Sequence, residues 1–312
     1  MSERLPLPIP FGWFRISDSD ELASGEVRAE HYAGRDLVLW RDDGGEAHVM
    51  AAHCPHLGAH LGVGGKVEGK GIRCPFHAWK FDGAGRCVDI PYAKRIPPQA
   101  RATTYPVCEK NGVVMFWFHP HGAAPEWEPP DVPELRSKEW LPPQKVQFRV
   151  KSHAQEMAEN VVDPVHFKVV HGTPYVPDMD VTVDGHMFRG YQGLTFTTPD
   201  GEKKGRVDVE NHGGSFGVTR FQGIVDTLLV ICGAPIDDEL HETTIRFSVR
   251  VDGNEARARG IGRAFIEEVT RQYRQDIPIW ENKKFLEHPV LCDGDGPIGL
   301  IRKFYAQFYV LL

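Results

Sequence analysis

Through the first third of the chain, hydrophobic positions alternate with polar ones in short runs, each closed by glycine or aspartate. Val27–Tyr32, Asp36–Trp40 and His48–Ala52 read as strands of period two, with Asp42-Asp-Gly-Gly45 as a hairpin turn. Further strands are expected at Ile72–Cys74, Trp79–Phe81, Cys87–Ile90 and Val113–Phe118, which makes residues 1–119 an all-β domain. Periodicity then stops. Over residues 120–144 proline recurs too often for helix or central strand, so this stretch is expected to be a connector, packed on a surface by Trp127 and Trp140. Beyond it the pattern is helical over about His153–Val170. It alternates through Met179–Val183, Leu194–Thr198, Gly205–Glu210, Phe216–Gln222, Thr227–Gly233 and Thr243–Val251, and is helical again over about Arg259–Phe285. Residues 145–312 are thus expected to form a second domain, an antiparallel sheet flanked by helices, for an α+β chain overall.

A length of 312 residues supports two such domains. The formal charge of −7 carries no footprint for nucleic acid or an anionic membrane. No apolar run is long enough for a transmembrane segment, and the opening Met1-Ser-Glu-Arg-Leu-Pro6 has no signal-peptide core. Cys87, Cys108, Cys232 and Cys292 are scattered, so no disulfide framework is expected and a reducing, cytoplasmic setting fits. Gly-x-Ser-x-Gly and Gly-x-Gly-x-x-Gly are both absent. A serine hydrolase has no support, and without a nicotinamide or flavin site of its own the chain must take electrons from a separate protein.

That matters because of two short loops. Cys54-Pro-His56 is followed, after seventeen residues, by Cys74-Pro-Phe-His77. Two thiolates and two imidazoles on paired loops can hold a [2Fe–2S] cluster with one iron on sulfur and one on nitrogen. Neutral histidines leave the cluster less negative, which raises its potential above that of an all-cysteine cluster. The alternative is a structural Cys₂His₂ zinc site. Pro55, Pro75 and the glycines between the loops favour iron, since they suit backbone N–H groups approaching the sulfides.

A second constellation lies in Asn160-Val-Val-Asp163-Pro-Val-His166-Phe-Lys-Val-Val-His171. On an ideal helix two side chains five residues apart diverge by about 140°, so His166 and His171 reach one metal only if the helix bulges or ends between them. A ferrous site that activates O₂ needs two histidines and one carboxylate on one face. Asp276 supplies that carboxylate best, because it falls on the apolar stripe of the last helix with Phe265 and Val269, where an unpaired charge is costly. Glu267, Glu281, Asp293 and Asp295 are weaker rivals, off the stripe or in a glycine-rich loop.

The two loops resemble a Rieske domain of the oxygenase type, with Ala59 and Phe76 where the respiratory type carries extra cysteines. Asn160, Asp163, His166 and His171 match the Asn-x-x-Asp-x-x-His-x₄-His pattern of Rieske non-haem iron oxygenase α-subunits, and the resemblance runs from Gly12-Trp13-Phe14 to Phe308-Tyr309. Cys54-Pro-His-Leu-Gly-Ala-His-Leu-Gly62, Asp89-Ile-Pro-Tyr-Ala-Lys94, Gln275-Asp276-Ile-Pro-Ile-Trp-Glu-Asn-Lys283, Asp295-Gly-Pro-Ile and Arg302-Lys-Phe-Tyr-Ala-Gln-Phe-Tyr309 resemble the branch of 3-ketosteroid 9α-hydroxylase oxygenases and cholesterol 7-desaturases. Ala78 departs from it, standing where a glycine usually follows the second cluster histidine. The resemblance implies a helix-grip (START-like) catalytic domain, a Rieske [2Fe–2S] cluster on Cys54, His56, Cys74 and His77, and mononuclear Fe(II) on His166, His171 and Asp276. It also implies a homotrimer in which Asp163, with Asn160 in the same pattern, links His166 to the cluster ligand His56 or His77 of a neighbour. Electrons would come from NAD(P)H through a reductase or ferredoxin, to hydroxylate or desaturate a bulky, apolar, steroid-like substrate with O₂. The rival readings are an oxygenase for small aromatics or N-/O-demethylation, and an electron-transfer protein whose second domain only binds a ligand.

Overall fold

A computed structural model describes residues 3–173, 176, 179–198 and 201–310. It divides into two compact units: Trp13–Glu128, and the residues from Pro129 onward together with those before Trp13. The division falls inside the proline-rich stretch. The opening residues are tied to the second unit by backbone bonds from Phe11 N to Phe308 O (2.8 Å) and from Phe285 N to Arg4 O (3.0 Å).

The first unit is built on β1 (Gly12–Asp18), β2 (Val27–Tyr32), β3 (Arg35–Arg41), β4 (Ala47–Ala51), β5 (Lys66–Glu68), β6 (Gly71–Arg73), β7 (Lys80–Asp82), β8 (Cys87–Asp89), β9 (Thr104–Tyr105), β10 (Val107–Lys110) and β11 (Val113–Phe118). They form three small sheets, ordered β1-β11-β10, β2-β3-β4-β9 and β5-β6-β7-β8. Trp40, Phe81, Leu61 and Ile72 are fully buried in the core beneath the cysteine loops. The short strands β5, β9 and β10 carry too few residues to show a period, and sequence reading passed over them.

The second unit contains β12 (Gln144–Val150), α1 (Ala154–Ala158), α2 (Pro164–Val169), β13 (Met179–Asp184), β14 (Met187–Thr198), β15 (Gly201–His212), β16 (Phe216–Gln222), β17 (Thr227–Pro235), β18 (His241–Val249), α3 (Glu255–Asn282) and α4 (Ile298–Ala306). Its seven strands make one antiparallel sheet in the order β12-β18-β17-β16-β15-β14-β13. The chain starts on one edge, crosses to the other through α1 and α2, and meanders back until β18 pairs with β12. Phe265, Val269 and Tyr273 of α3 pack against Leu229, Ile245 and Phe247 of the sheet. The sheet-and-helix architecture agrees with the α+β expectation, whereas β12 and α4 went unread in the sequence.

The single helix expected over His153–Val170 is instead two short helices. Glu159–Val162 tightens into a 3-10 turn, Asp163 is extended (φ −101°, ψ 97°), and a new helix starts at Pro164. Proline has no N–H to continue a helix but suits the first position of one. The Asp163 carboxylate supplies the N-cap, accepting from Val165 N (3.0 Å) and His166 N (3.3 Å).

Candidate active site

In the first unit, the loop after β4 carries Cys54 and His56, and the turn between β6 and β7 carries Cys74 and His77. Each loop closes on its own cysteine: Cys54 N donates to Ala59 O (2.8 Å) and Cys74 N to Trp79 O (2.8 Å). Both sulfurs are buried, and burial with Cys74 close by pushes the Cys54 thiol up to about 11. A bound cation would reverse that shift and hold Cys54 as a thiolate. The His56 and His77 rings lie 4.7 Å apart. Trp79 stacks on His56 at 4.5 Å and donates its indole N–H to Tyr92 Oη (2.8 Å).

These residues fit a cluster better than a lone ion. His56 Nδ1 is buried without a partner among the described residues, a cost that a metal bond removes. A tetrahedral zinc would draw its four donors to about 3.3–3.8 Å of one another. Two groups of described residues bring three donor atoms within 4.8 Å, and neither includes any of these four residues. Two thiols and two imidazoles match two irons, one held by sulfur and one by nitrogen. Ala78 beside them has φ +59°, a left-handed conformation that disfavours every residue but glycine.

In the second unit, His166, His171 and Asp276 bring one donor atom each within 4.8 Å of one another. The five-residue spacing works because α2 ends at Val169 and Gly172 turns the chain at φ +75°, so His171 lies past the helix. The two rings stand 5.1 Å apart and nearly perpendicular. His166 Nδ1 donates to the Asp163 carbonyl, and His171 Nδ1 to Gln275 Oε1 at 3.1 Å. Both therefore present Nε2, and that of His171 is 3.4 Å from Asp276 Oδ2. Burial holds the His166 imidazole below its ordinary value, in the neutral form that binds metal. Burial pushes the Asp276 carboxyl up, while His171, His166 and the Asn160 side chain pull it back toward ionisation. Asp276 Oδ1 is buried with no hydrogen-bond partner, so this donor set too is short of a cation.

The loop before α4 explains one sequence motif. A Cβ at Gly296 would meet Val162 O at 1.6 Å and Pro164 Cδ at 2.9 Å. Asp295-Gly-Pro therefore lets the backbone press against the turn that carries Asp163. A cavity of about 260 Å³ opens beside the three donors. Phe167, Val269, Ile301, Phe304 and Trp280 line its helical side, and Gly213, Gly217, Ile231 and Gly233 its floor on the sheet.

Some neighbours of these centres escaped sequence reading. Gln275 was passed over as the residue beside Asp276, although it orients His171. His153 and His241 belong to no ligand motif in the sequence. His153 is the N-cap of α1, its Nδ1 accepting from Gln155 N at 3.1 Å, a role usually taken by Ser, Thr, Asp or Asn.

An electron-carrying β-module joined to a ligand-cavity domain with two histidines and a carboxylate defines the terminal oxygenase of a Rieske system. The comparisons agree. Residues 12–106 match the Rieske [2Fe-2S] domain, and residues 116–309 match the 3-Ketosteroid 9alpha-hydroxylase C-terminal domain. The chain therefore belongs to the 3-ketosteroid 9α-hydroxylase family of Rieske oxygenases. The cholesterol 7-desaturase of Xenopus laevis is 30% identical over 99% of this chain and 74% of its own. An oxygenase component of 3-ketosteroid-9-alpha-monooxygenase from Rhodococcus rhodochrous is 31% identical over 96% and 80%. Dicamba monooxygenase, solved with dicamba bound, shares the fold at a TM-score of 0.72 and 16% identity, over 95% of this chain and 96% of its own. The cofactors of the class are a Rieske cluster and mononuclear iron, and an oxygenase component takes its electrons from a separate reductase or ferredoxin. Among the described residues no helix is long and apolar enough to cross a membrane.

Proposed function

We propose that this protein hydroxylates or desaturates a flat, largely apolar substrate of the steroid or sterol class. In this reading His166, His171 and Asp276 hold the iron, and Cys54, His56, Cys74 and His77 hold the cluster. The carrying observation is the convergence of those three donors in the wall of an apolar cavity. Iron there supplies dioxygen activation, fed one electron at a time from NAD(P)H through the reductase and the cluster. The protein's own part is positional. Asp163 and Gln275 fix the histidine tautomers, Asn160 steadies the Asp276 carboxylate, and Phe167, Val269 and Phe304 keep water from the substrate. We assign Asp163 a second role, as the bridge from His166 to the cluster of a neighbouring subunit in a homotrimer. The four cysteines outside the cluster loops, none of them in a disulfide, suit a cytoplasmic setting.

The names of the relatives and the glycine floor of the cavity support a steroid-like ligand. One observation favours a second reading: about 260 Å³ is at or below the low end of ordinary ligand pockets, which suits a small aromatic. Turnover decides between them. The enzyme, reduced through a surrogate reductase, is offered 3-ketosteroids, sterols and small methoxylated aromatics and followed by LC–MS. A steroid that gains one oxygen or loses two hydrogens is the expected product. Products from the aromatics alone would reject the steroid class, and reduction of the cluster with iron present but no oxidation of any compound would reject it as well.

A further inference from the structure

The floor of the cavity carries a polar group that the chemistry described so far leaves unused. His241, the first residue of β18, is 3% exposed and lines the cavity together with Thr243, two positions along the same strand and so on the same face. Its Nδ1 is buried with no hydrogen-bond partner among the described residues. Of the other polar side chains nearby, Thr243 is engaged with Tyr273 and Gln272 Nε2 with Glu268 Oε1 at 2.8 Å, while the Trp280 indole N–H, unpaired as well, belongs to the helical side with the three donors. Burial holds His241 neutral, with a pKa near 3, so the ring keeps one N–H donor and one acceptor at physiological pH.

The sheet is cut to fit this ring. A Cβ at Gly233 would lie 2.6 Å from His241 Nε2, so only glycine on β17 leaves the imidazole its place. Gly217, one strand further, is likewise filled by the Asn211 amide, whose Oδ1 would meet a Cβ at 2.6 Å. Two glycines thus open beds for polar side chains in an otherwise apolar floor. The three metal donors belong to the helical wall of the same cavity, so a ligand between the walls meets iron on one side and His241 on the other. An unpaired polar group in an apolar site rejects ligands that cannot pair with it.

We propose that His241 is a specificity-determining residue that hydrogen-bonds a ketone or hydroxyl oxygen of the substrate and so sets its orientation against the helical wall. This rests on the steroid-class reading above, and narrows it to ring systems that carry an oxygen function.

The test compares binding of an androstane bearing one terminal ketone with binding of its oxygen-free parent, to the iron- and cluster-loaded enzyme, by quenching of tryptophan fluorescence (Trp280 lines the cavity). The native enzyme should prefer the ketone by about tenfold or more. In His241→Leu that preference should fall to about one while the parent still binds and the cluster spectrum and iron content stay intact. His241→Asn, which keeps a donor near the Nδ1 position, should retain part of it. Gly233→Ala, which displaces the ring without removing it, should lower it. An undiminished preference in His241→Leu, or none in the native enzyme, would overturn the assignment and leave the steroid class standing. Failure of both androstanes to bind the native enzyme would instead remove the steroid class, and this assignment with it.

Discussion

The two proposed metal centres are assembled in opposite ways. The cysteine–histidine loops are local: their four residues lie within Cys54–His77, and each loop closes on its own backbone. The three-donor centre is distributed. His166 and His171 come from either side of a helix end, whereas Asp276 arrives from a helix about a hundred residues further on, and its supports Asn160 and Gln275 are just as scattered. A local centre depends on turn chemistry, and a distributed one on the packing and charge state of a whole domain.

The largest expected effect separates the two centres outright. Asp276→Ala should lose the mononuclear iron and all turnover while the visible spectrum of the cluster is unchanged. His56→Ala should do the reverse, bleaching the cluster and leaving iron in the second unit. Metal analysis alongside absorbance reads both. If iron content survived Asp276→Ala, the carboxylate would have to be sought elsewhere, and the contrast between the centres would lose its main term.

Asp163 comes next, because it caps α2 and is also the proposed bridge for electron transfer. Alanine would remove the N-cap of α2, at about 1 kcal/mol, and confuse the two. Asparagine keeps the cap and removes only the charge. Asp163→Asn should therefore retain iron, cluster and melting temperature yet turn over about 10- to 100-fold more slowly, the usual cost of losing a second-layer partner. Full activity in that variant would sink the bridging role.

These differences also explain what could be read from the sequence. Candidate ligands two and three residues apart announce themselves, and Asp276, which the fold brings beside His166 and His171, stands out as a carboxylate on an apolar helical stripe. Asp163-Pro164 was the stop signal of a helix, yet the apolar residues on both sides made one long helix look continuous. Gly190 and Gly193 broke the alternation of β14, so its first half was missed. β12 was hidden behind the prolines that precede it, and its place as the edge partner of β18 is a tertiary fact. Gln275 and His241 act through contacts with residues far away in sequence, which no local pattern encodes, and His153 caps a helix two residues on although histidine is not among the preferred capping residues.

His153 lets pH probe the distributed centre. Nδ1 accepts from Gln155 N and Nε2 donates to Pro8 O (3.1 Å), an arrangement that only the neutral ring can make. Burial holds its pKa at about 4, below an unfolded value of 6.5. The folded value is the lower one, so the stabilisation is complete above pH 6.5 and is lost as pH falls from 6.5 to about 4. Over that window the group accounts for about 3 kcal/mol. His241 acts with the same sign, so the informative quantity is the difference from His153→Asn, which caps α1 without titrating. Urea unfolding followed by helical circular dichroism should show a shallower acid loss in that variant. Parallel curves would mean that the cap is not what acid attacks.

The smallest effect tests the local centre on its own terms. Ala78 holds φ +59° directly after His77, and a left-handed conformation costs a residue with a Cβ roughly 1–2 kcal/mol. The loop is held there because Ala78 O accepts from Arg73 Nη1 at 2.7 Å and Cys74 N closes on Trp79 O, so the backbone cannot relax without opening the turn. Ala78→Gly removes the strain but returns about 0.4–1 kcal/mol as chain entropy in the unfolded state, for a net gain between about 0 and 1.6 kcal/mol. The midpoint of thermal cluster bleaching should rise by a few degrees. Iron content of the other centre should not change, because nothing in that loop reaches it through the chain. A lower midpoint would mean that the alanine methyl contributes more packing than its backbone costs, and the cluster loops would then depend on side-chain contacts as the iron site does.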